Sequence, residues 1–71
     1  MLTLIQRDDC ALCDEAWEVL HMAGVRDFES VYIDGDAALE KAYGIRVPVL
    51  RLEERELDWP FDAERVRQWL T

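Results

Sequence analysis

Hydrophobic and polar positions along the chain alternate between two periods. Leu2-Thr3-Leu4-Ile5-Gln6 is a short apolar run halted by Arg7-Asp8-Asp9, the signature of a buried strand. From Cys10 the period lengthens. Leu12, Ala16, Val19, Leu20 and Ala23 fall at i, i+4, i+7, i+8 and i+11, one apolar face of a helix, and Gly24 follows where a left-handed residue would end it. Phe28 to Asp34, with Val31, Tyr32 and Ile33, predicts a second strand closed by the turn formers Asp34-Gly35-Asp36. Asp36 is placed to cap a short helix through Tyr43, with Leu39, Ala42 and Tyr43 facing inward and Gly44 ending it. Val47 to Leu52 reads as a third strand and Arg55 to Trp59 as a fourth. Glu53-Glu54 between them is poor hairpin chemistry, because two-residue turns favour Asn-Gly or Asp-Gly. The last helix is well marked: Asp62 is an N-cap, Phe61 and Val66 form a hydrophobic staple across it, and Val66, Trp69 and Leu70 supply the buried stripe.

The predicted order is therefore β-α-β-α-β-β-α. The first β-α-β unit demands parallel strands with a right-handed crossover, and the last two strands are joined too tightly for anything but an antiparallel hairpin. An α/β fold with a four-stranded mixed sheet and three helices follows, in a single domain over residues 1–71. A chain of this size buries only about 60% of its unfolded surface, so its stability margin is thin.

Charge narrows the function. Eight basic residues against sixteen acidic ones give a net charge of −8. That balance argues against nucleic acid and against anionic membrane surfaces, both of which call for Lys and Arg. No apolar run is long enough to span a bilayer, and Met1–Gln6 lacks the basic start and the length of a signal peptide. Two cysteines three residues apart close too small a loop to staple a secreted domain, so Cys10 and Cys13 point to chemistry in a reducing, cytoplasmic setting.

Cys10-Ala11-Leu12-Cys13 falls where a strand ends and a helix begins. The free N–H groups and positive dipole end of a helix favour a thiolate there, and a second thiol one turn on can close a disulfide with the first. Cys10 would attack a substrate disulfide and Cys13 would resolve the mixed disulfide. Three other readings stand beside this one. A metal or iron–sulfur site would need a dimer sharing four thiolates, because His21 lies roughly 12 Å along the helix from Cys13. The cysteines could be inert small hydrophobes. Or the scaffold could bind a partner with the disulfide as a latch. His21 is too far along the helix to be a base for Cys10 and reads as a surface or edge-packed side chain.

A second signal is Ile45-Arg46-Val47-Pro48-Val49-Leu50. Proline opening a strand is ordinary at a sheet edge. A cis Val47-Pro48 bond would instead turn the Val47 backbone outward, where its N–H and C=O could pair with an extended substrate. Cys10-x-x-Cys13 after the first strand, Val47-Pro48 at the third and Asp62 starting the last helix together resemble the glutaredoxin branch of the thioredoxin superfamily. Cys13-Asp14-Glu15-Ala16 and Tyr43 to Leu50 are similar to a small bacterial glutaredoxin-like family. The resemblance spans essentially the whole chain. It implies a thioredoxin fold, catalytic Cys10 and Cys13, a cis Pro48, substrate contacts at Val47 and, more loosely, a glutathione contact at Asp62. Arg46, next to that platform, is a further candidate substrate contact.

The departures carry information. Ala11-Leu12 stands where dithiol glutaredoxins have Pro-Tyr, and Trp59-Pro60-Phe61 stands where they have a glycine pair. That bulk leaves less room for a glutathione backbone. Asp8, Asp9, Asp14 and Glu15 surround the cysteines, opposed by Arg7 and Arg46. A helix terminus favours a thiolate by about 0.3–1 kcal/mol. One carboxylate about 8 Å away opposes it by about 1 kcal/mol at an effective dielectric of about 40. The Cys10 thiol is therefore expected to be depressed little. Trp59 is expected near Pro48. The reading is a monomeric, cytoplasmic thiol–disulfide oxidoreductase with no bound cofactor or metal, taking glutathione or a disulfide-bearing protein as partner. The alternative is a protein-binding module with a redox latch.

Overall fold

A computed structural model of the chain describes every residue from Met1 to Thr71. The elements run β1 (Thr3–Gln6), α1 (Ala11–Met22), β2 (Glu29–Tyr32), α2 (Ala37–Tyr43), β3 (Val49–Leu52), β4 (Arg55–Asp58) and α3 (Ala63–Leu70). One mixed sheet has the strand order β2-β1-β3-β4, with β1 and β2 parallel and both other pairings antiparallel. α1 provides the crossover that the parallel pair requires.

Alternation along β1 divides the interior into two layers. Leu4 packs with Ala16 and Leu20 of α1, Leu50 of β3, and Val66 and Trp69 of α3. Ile5, the next residue, faces the other way and packs with Ile33, Val49 and Tyr43 of α2. α1 and α3 thus share one face of the sheet and α2 covers part of the other. The caps behave as their chemistry requires: Asp36 accepts from the Leu39 N–H at 3.0 Å and Asp62 from the Arg65 N–H at 2.8 Å. Phe61 and Val66 are buried in the same layer, the staple that fixes the entry to α3.

Several details differ from the sequence pattern. The buried stripe of α1 is Cys13, Ala16 and Leu20, whereas Leu12 is 46% exposed. The inner line is set by Cys13, and its neighbour Leu12 lies about 100° around the helix from it. Ala42 is exposed for the same reason, one step off the Leu39–Tyr43 line of α2. Gly24 has the left-handed φ of +83° that ends α1, but Gly44 stays helical at φ −46°. Gly44 is needed for space: a Cβ would stand 2.5 Å from the Glu40 carbonyl oxygen. β3 begins at Val49 rather than Val47, because the Val47 N–H donates back to the Tyr43 carbonyl at 3.1 Å. Glu53-Glu54 does make a two-residue turn below the Leu52–Arg55 pair. It does so with Glu53 at φ +58°, and the Arg51 side chain donates to the Glu53 carbonyl at 3.0 Å.

Candidate active site

The strand register collects the candidate residues at one end of the sheet. β1 runs toward Cys10, and Ile5 pairs with Val49, so Pro48 lies beside the end of β1. Val49 also pairs with Asp58, and the Trp59 N–H donates to the Pro48 carbonyl at 3.2 Å, which puts Trp59 against the proline. α3 starts four residues beyond Trp59. On the far side, Gln6 pairs with Tyr32, and the loop after β2 returns Asp34 to accept from the Asp8 N–H at 2.8 Å. The Cys10 loop, the Val47–Pro48 segment, Trp59 and the approach to α3 therefore share one rim.

Asp9, at φ +53°, turns the chain from β1 into α1. A short polar side chain tolerates that conformation, and the Asp9 N–H is satisfied by the Asp8 carboxylate at 3.1 Å. Cys10 is the N-cap of α1 and is half-buried; its Sγ accepts from the Cys13 N–H at 3.2 Å. Cys13 lies one turn in and is 1% exposed. The two form a disulfide across a Cα–Cα separation of 5.2 Å. One cysteine is thus half-buried at the helix start and the other is held behind it, one turn in. Cys10 takes the place that Ser, Thr or Asp usually fills at an N-cap, so a sulfur occupies the position where a negative charge is favoured.

The Val47–Pro48 and Trp59–Pro60 peptide bonds are both cis. Pro48 is fully buried and Val47 is partly so. The outward pair of backbone groups expected at Val47 is reduced to one. Its N–H is committed to Tyr43, and only its carbonyl accepts no hydrogen bond.

Arg7 and Arg46 do not face the cysteines as free charges. Arg7 makes a two-pronged pair with Glu40, at 2.6 and 3.0 Å, and donates to the Gly44 carbonyl at 3.0 Å. Arg46 pairs with Asp58 through two nitrogens and with Glu56 at 2.7 Å, while stacking over the Tyr43 ring at 5.1 Å. The Tyr43 hydroxyl donates to Glu56 at 2.6 Å. That bond, then Arg46, holds the Glu56 carboxyl below its usual range, and it pushes Tyr43 up. Arg46 likewise lowers Asp58, and both guanidiniums are shifted up by their carboxylate partners. The candidate contact Arg46 is therefore a brace between the Val47–Pro48 segment and β4. Asp62 is spent as a cap, so the first turn of α3 already carries its own carboxylate.

Gln6 went unnoticed in the sequence. It is 2% exposed, its Oε1 accepts from the Trp17 indole at 3.1 Å, and its Nε2 has no hydrogen-bond partner. The signal was available: Leu2, Leu4 and Gln6 share one face of β1, so a polar residue stands at a core position. Trp17, 44% exposed, stacks edge-on against Phe28, and His21 is exposed near the far end of α1, eight residues beyond Cys13. No group of three or more His, Cys, Asp or Glu side chains is arranged to hold a metal ion.

A half-buried cysteine at a helix start, a buried partner one turn on and a proline-led strand beside them make this a redox-type thioredoxin fold. The chain belongs to the glutaredoxin-like family: the family model described as a glutaredoxin-like domain (DUF836) matches residues 1–71. Among solved structures it is similar to the X-ray structure of Northeast Structural Genomics target protein XcR50 from X. campestris. The identity is 66%, the TM-score 0.95, and the match covers 99% of this chain and 95% of that one. The solution structure of the same target matches with 67% identity and a TM-score of 0.92, over 97% and 90% of the two chains. No curated protein matches the chain.

Proposed function

We propose that the protein carries out thiol–disulfide exchange in the manner of a glutaredoxin, with Cys10 as nucleophile and Cys13 as resolving thiol. In the reduced protein, the Cys10 thiolate attacks one sulfur of a substrate disulfide and expels the other as a thiolate. Cys13 then attacks the Cys10 sulfur, closing the Cys10–Cys13 disulfide and releasing the second substrate thiolate. Two electrons pass from the protein dithiol to the substrate, and the two released thiolates take up protons. Two equivalents of an external thiol reduce the protein again, the first forming a mixed disulfide and the second leaving with it as the thiol's own disulfide; glutathione is the one that the family resemblance implies. A single rigid domain with no bound cofactor, acting as a monomer in the reducing cytoplasm, suffices for this cycle.

The observation that carries the reading is the asymmetry of the pair, with Cys10 half-buried at the α1 N-cap and Cys13 1% exposed behind it. The carbonyl of Val47, beside buried Pro48, accepts no hydrogen bond within the chain, which supports a role for it as a backbone acceptor for a substrate segment.

Turnover of 2-hydroxyethyl disulfide with glutathione as reductant tests the proposal. The wild type should exceed the uncatalysed rate, Cys10→Ser should fall to background, and Cys13→Ser should retain activity through the glutathione mixed disulfide. A wild type at background, with its far-UV circular dichroism intact, would contradict it. Stoichiometric oxidation without turnover would favour the partner-binding module with a redox latch.

A further inference from the structure

Resting on that redox reading, we infer that the Cys10–Cys13 site selects its substrate by charge and is built for disulfides carried by cationic peptides or proteins rather than for anionic thiols. Asp8, Asp9, Asp14 and Glu15 are all exposed within five residues of the two cysteines. Asp34 is tied into the same loop through the Asp8 N–H, adding a carboxylate from the far side. Two arginines border the rim, and both are already neutralised. Arg7 is closed on Glu40, and Arg46 on Glu56 and Asp58. The first turn of α3 holds its own Asp62 carboxylate on the Arg65 N–H, where an incoming carboxylate would otherwise be received. Arg65, exposed and without an ion-pair partner, is outnumbered by the acids of the Cys10 loop.

The field at a half-exposed nucleophile set among such groups is one-signed, and the net charge of −8 reinforces it. A one-signed cleft raises the encounter rate of oppositely charged partners by about 10–10³-fold and lowers that of like-charged ones, an effect that salt removes. The acids therefore decide which disulfide reaches Cys10, while the exchange itself remains the two-electron transfer already described. The same field makes glutathione disulfide, an anion, a slow substrate.

Pre-reduced protein should be mixed in single turnover with cystamine (dication), 2-hydroxyethyl disulfide (neutral) or dithiodiglycolate (dianion), with formation of the protein disulfide followed by intact mass. Each rate is divided by that of the same disulfide with dithiothreitol, which removes differences in intrinsic reactivity. At low ionic strength the normalised rates should fall at least tenfold from cystamine to dithiodiglycolate, and the spread should collapse near 1 M salt. Replacing the four acids by amides (Asp8→Asn, Asp9→Asn, Asp14→Asn, Glu15→Gln) should also collapse it. The salt series on the wild type decides the matter if the variant folds poorly. Equal rates, or faster oxidation by dithiodiglycolate, would overturn the charge preference and leave the redox reading standing. Failure of all three disulfides to oxidise the dithiol would overturn both.

Discussion

Two acidic residues hold left-handed backbone here, and they do so on different terms. Asp9 at φ +53° has a short side chain and an N–H satisfied by Asp8. Glu53 at φ +58° occupies the first position of a two-residue turn, where glycine is the natural choice. Left-handed backbone costs an ordinary residue about 1–2 kcal/mol, and glycine returns part of that by its greater freedom when unfolded. Glu53→Gly should therefore stabilise the protein by about 0.5–1 kcal/mol, read as a higher urea midpoint with an unchanged slope. An equal or lower midpoint would show that the Arg51 bond to the Glu53 carbonyl, rather than the turn residue, sets the hairpin. Gln6 raises the opposite question, since a buried amide with an unpartnered nitrogen costs about 1–3 kcal/mol. Its one bond holds the Trp17 indole over the α1 face of the sheet.

Between elements, the Tyr43–Glu56–Arg46–Asp58 network joins α2, the Val47–Pro48 segment and β4. Glu56 and Asp58 ionise more easily folded than unfolded, so their contribution is fully present above the unfolded carboxyl range of about 3.9–4.3 and is lost as pH falls through the lower folded values. Tyr43 is shifted the other way, so its contribution is present below about pH 10 and is lost as pH rises through its higher folded value. Arg46→Met should thus flatten the acid limb of stability against pH. The flattening should be partial, because Glu56 keeps its bond to Tyr43, and weaker at high salt, because these side chains are well exposed. An acid limb unchanged by Arg46→Met would contradict this. Such ties lie beyond reading from a single chain: Arg7 and Glu40 are 33 residues apart, and nothing local marks them as partners. What was legible is local chemistry, as with the caps Asp36 and Asp62, the Phe61–Val66 staple and the change of period at Cys10. Leu12 and Ala42 fall outside the buried stripes because one-dimensional periodicity sets a helix face only to within one residue.

For the molecule as a whole, the sheet register turns separate sequence signals into one site. Cys10, Pro48 and Asp62 are dispersed in the chain, and the pairings Ile5–Val49 and Val49–Asp58 bring the segments that carry them to one rim. The sequence pattern reached these residues through type and spacing. It could not show that Arg46 and Arg7 are consumed internally, that the Val47 N–H is spent, or that the two cysteines differ so far in exposure. No helix is long and apolar enough to cross a membrane.

That difference in exposure is the central claim's most direct test. Cys10→Ser and Cys13→Ser, each with one remaining thiol, are reacted with excess 2-hydroxyethyl disulfide, and the adduct is followed by intact-mass spectrometry. Cys13→Ser, which leaves the half-exposed Cys10, should form the mixed disulfide at least tenfold faster than Cys10→Ser, which leaves the buried Cys13. Equal rates, or a faster reaction in Cys10→Ser, would contradict the assignment of Cys10 as the attacking sulfur.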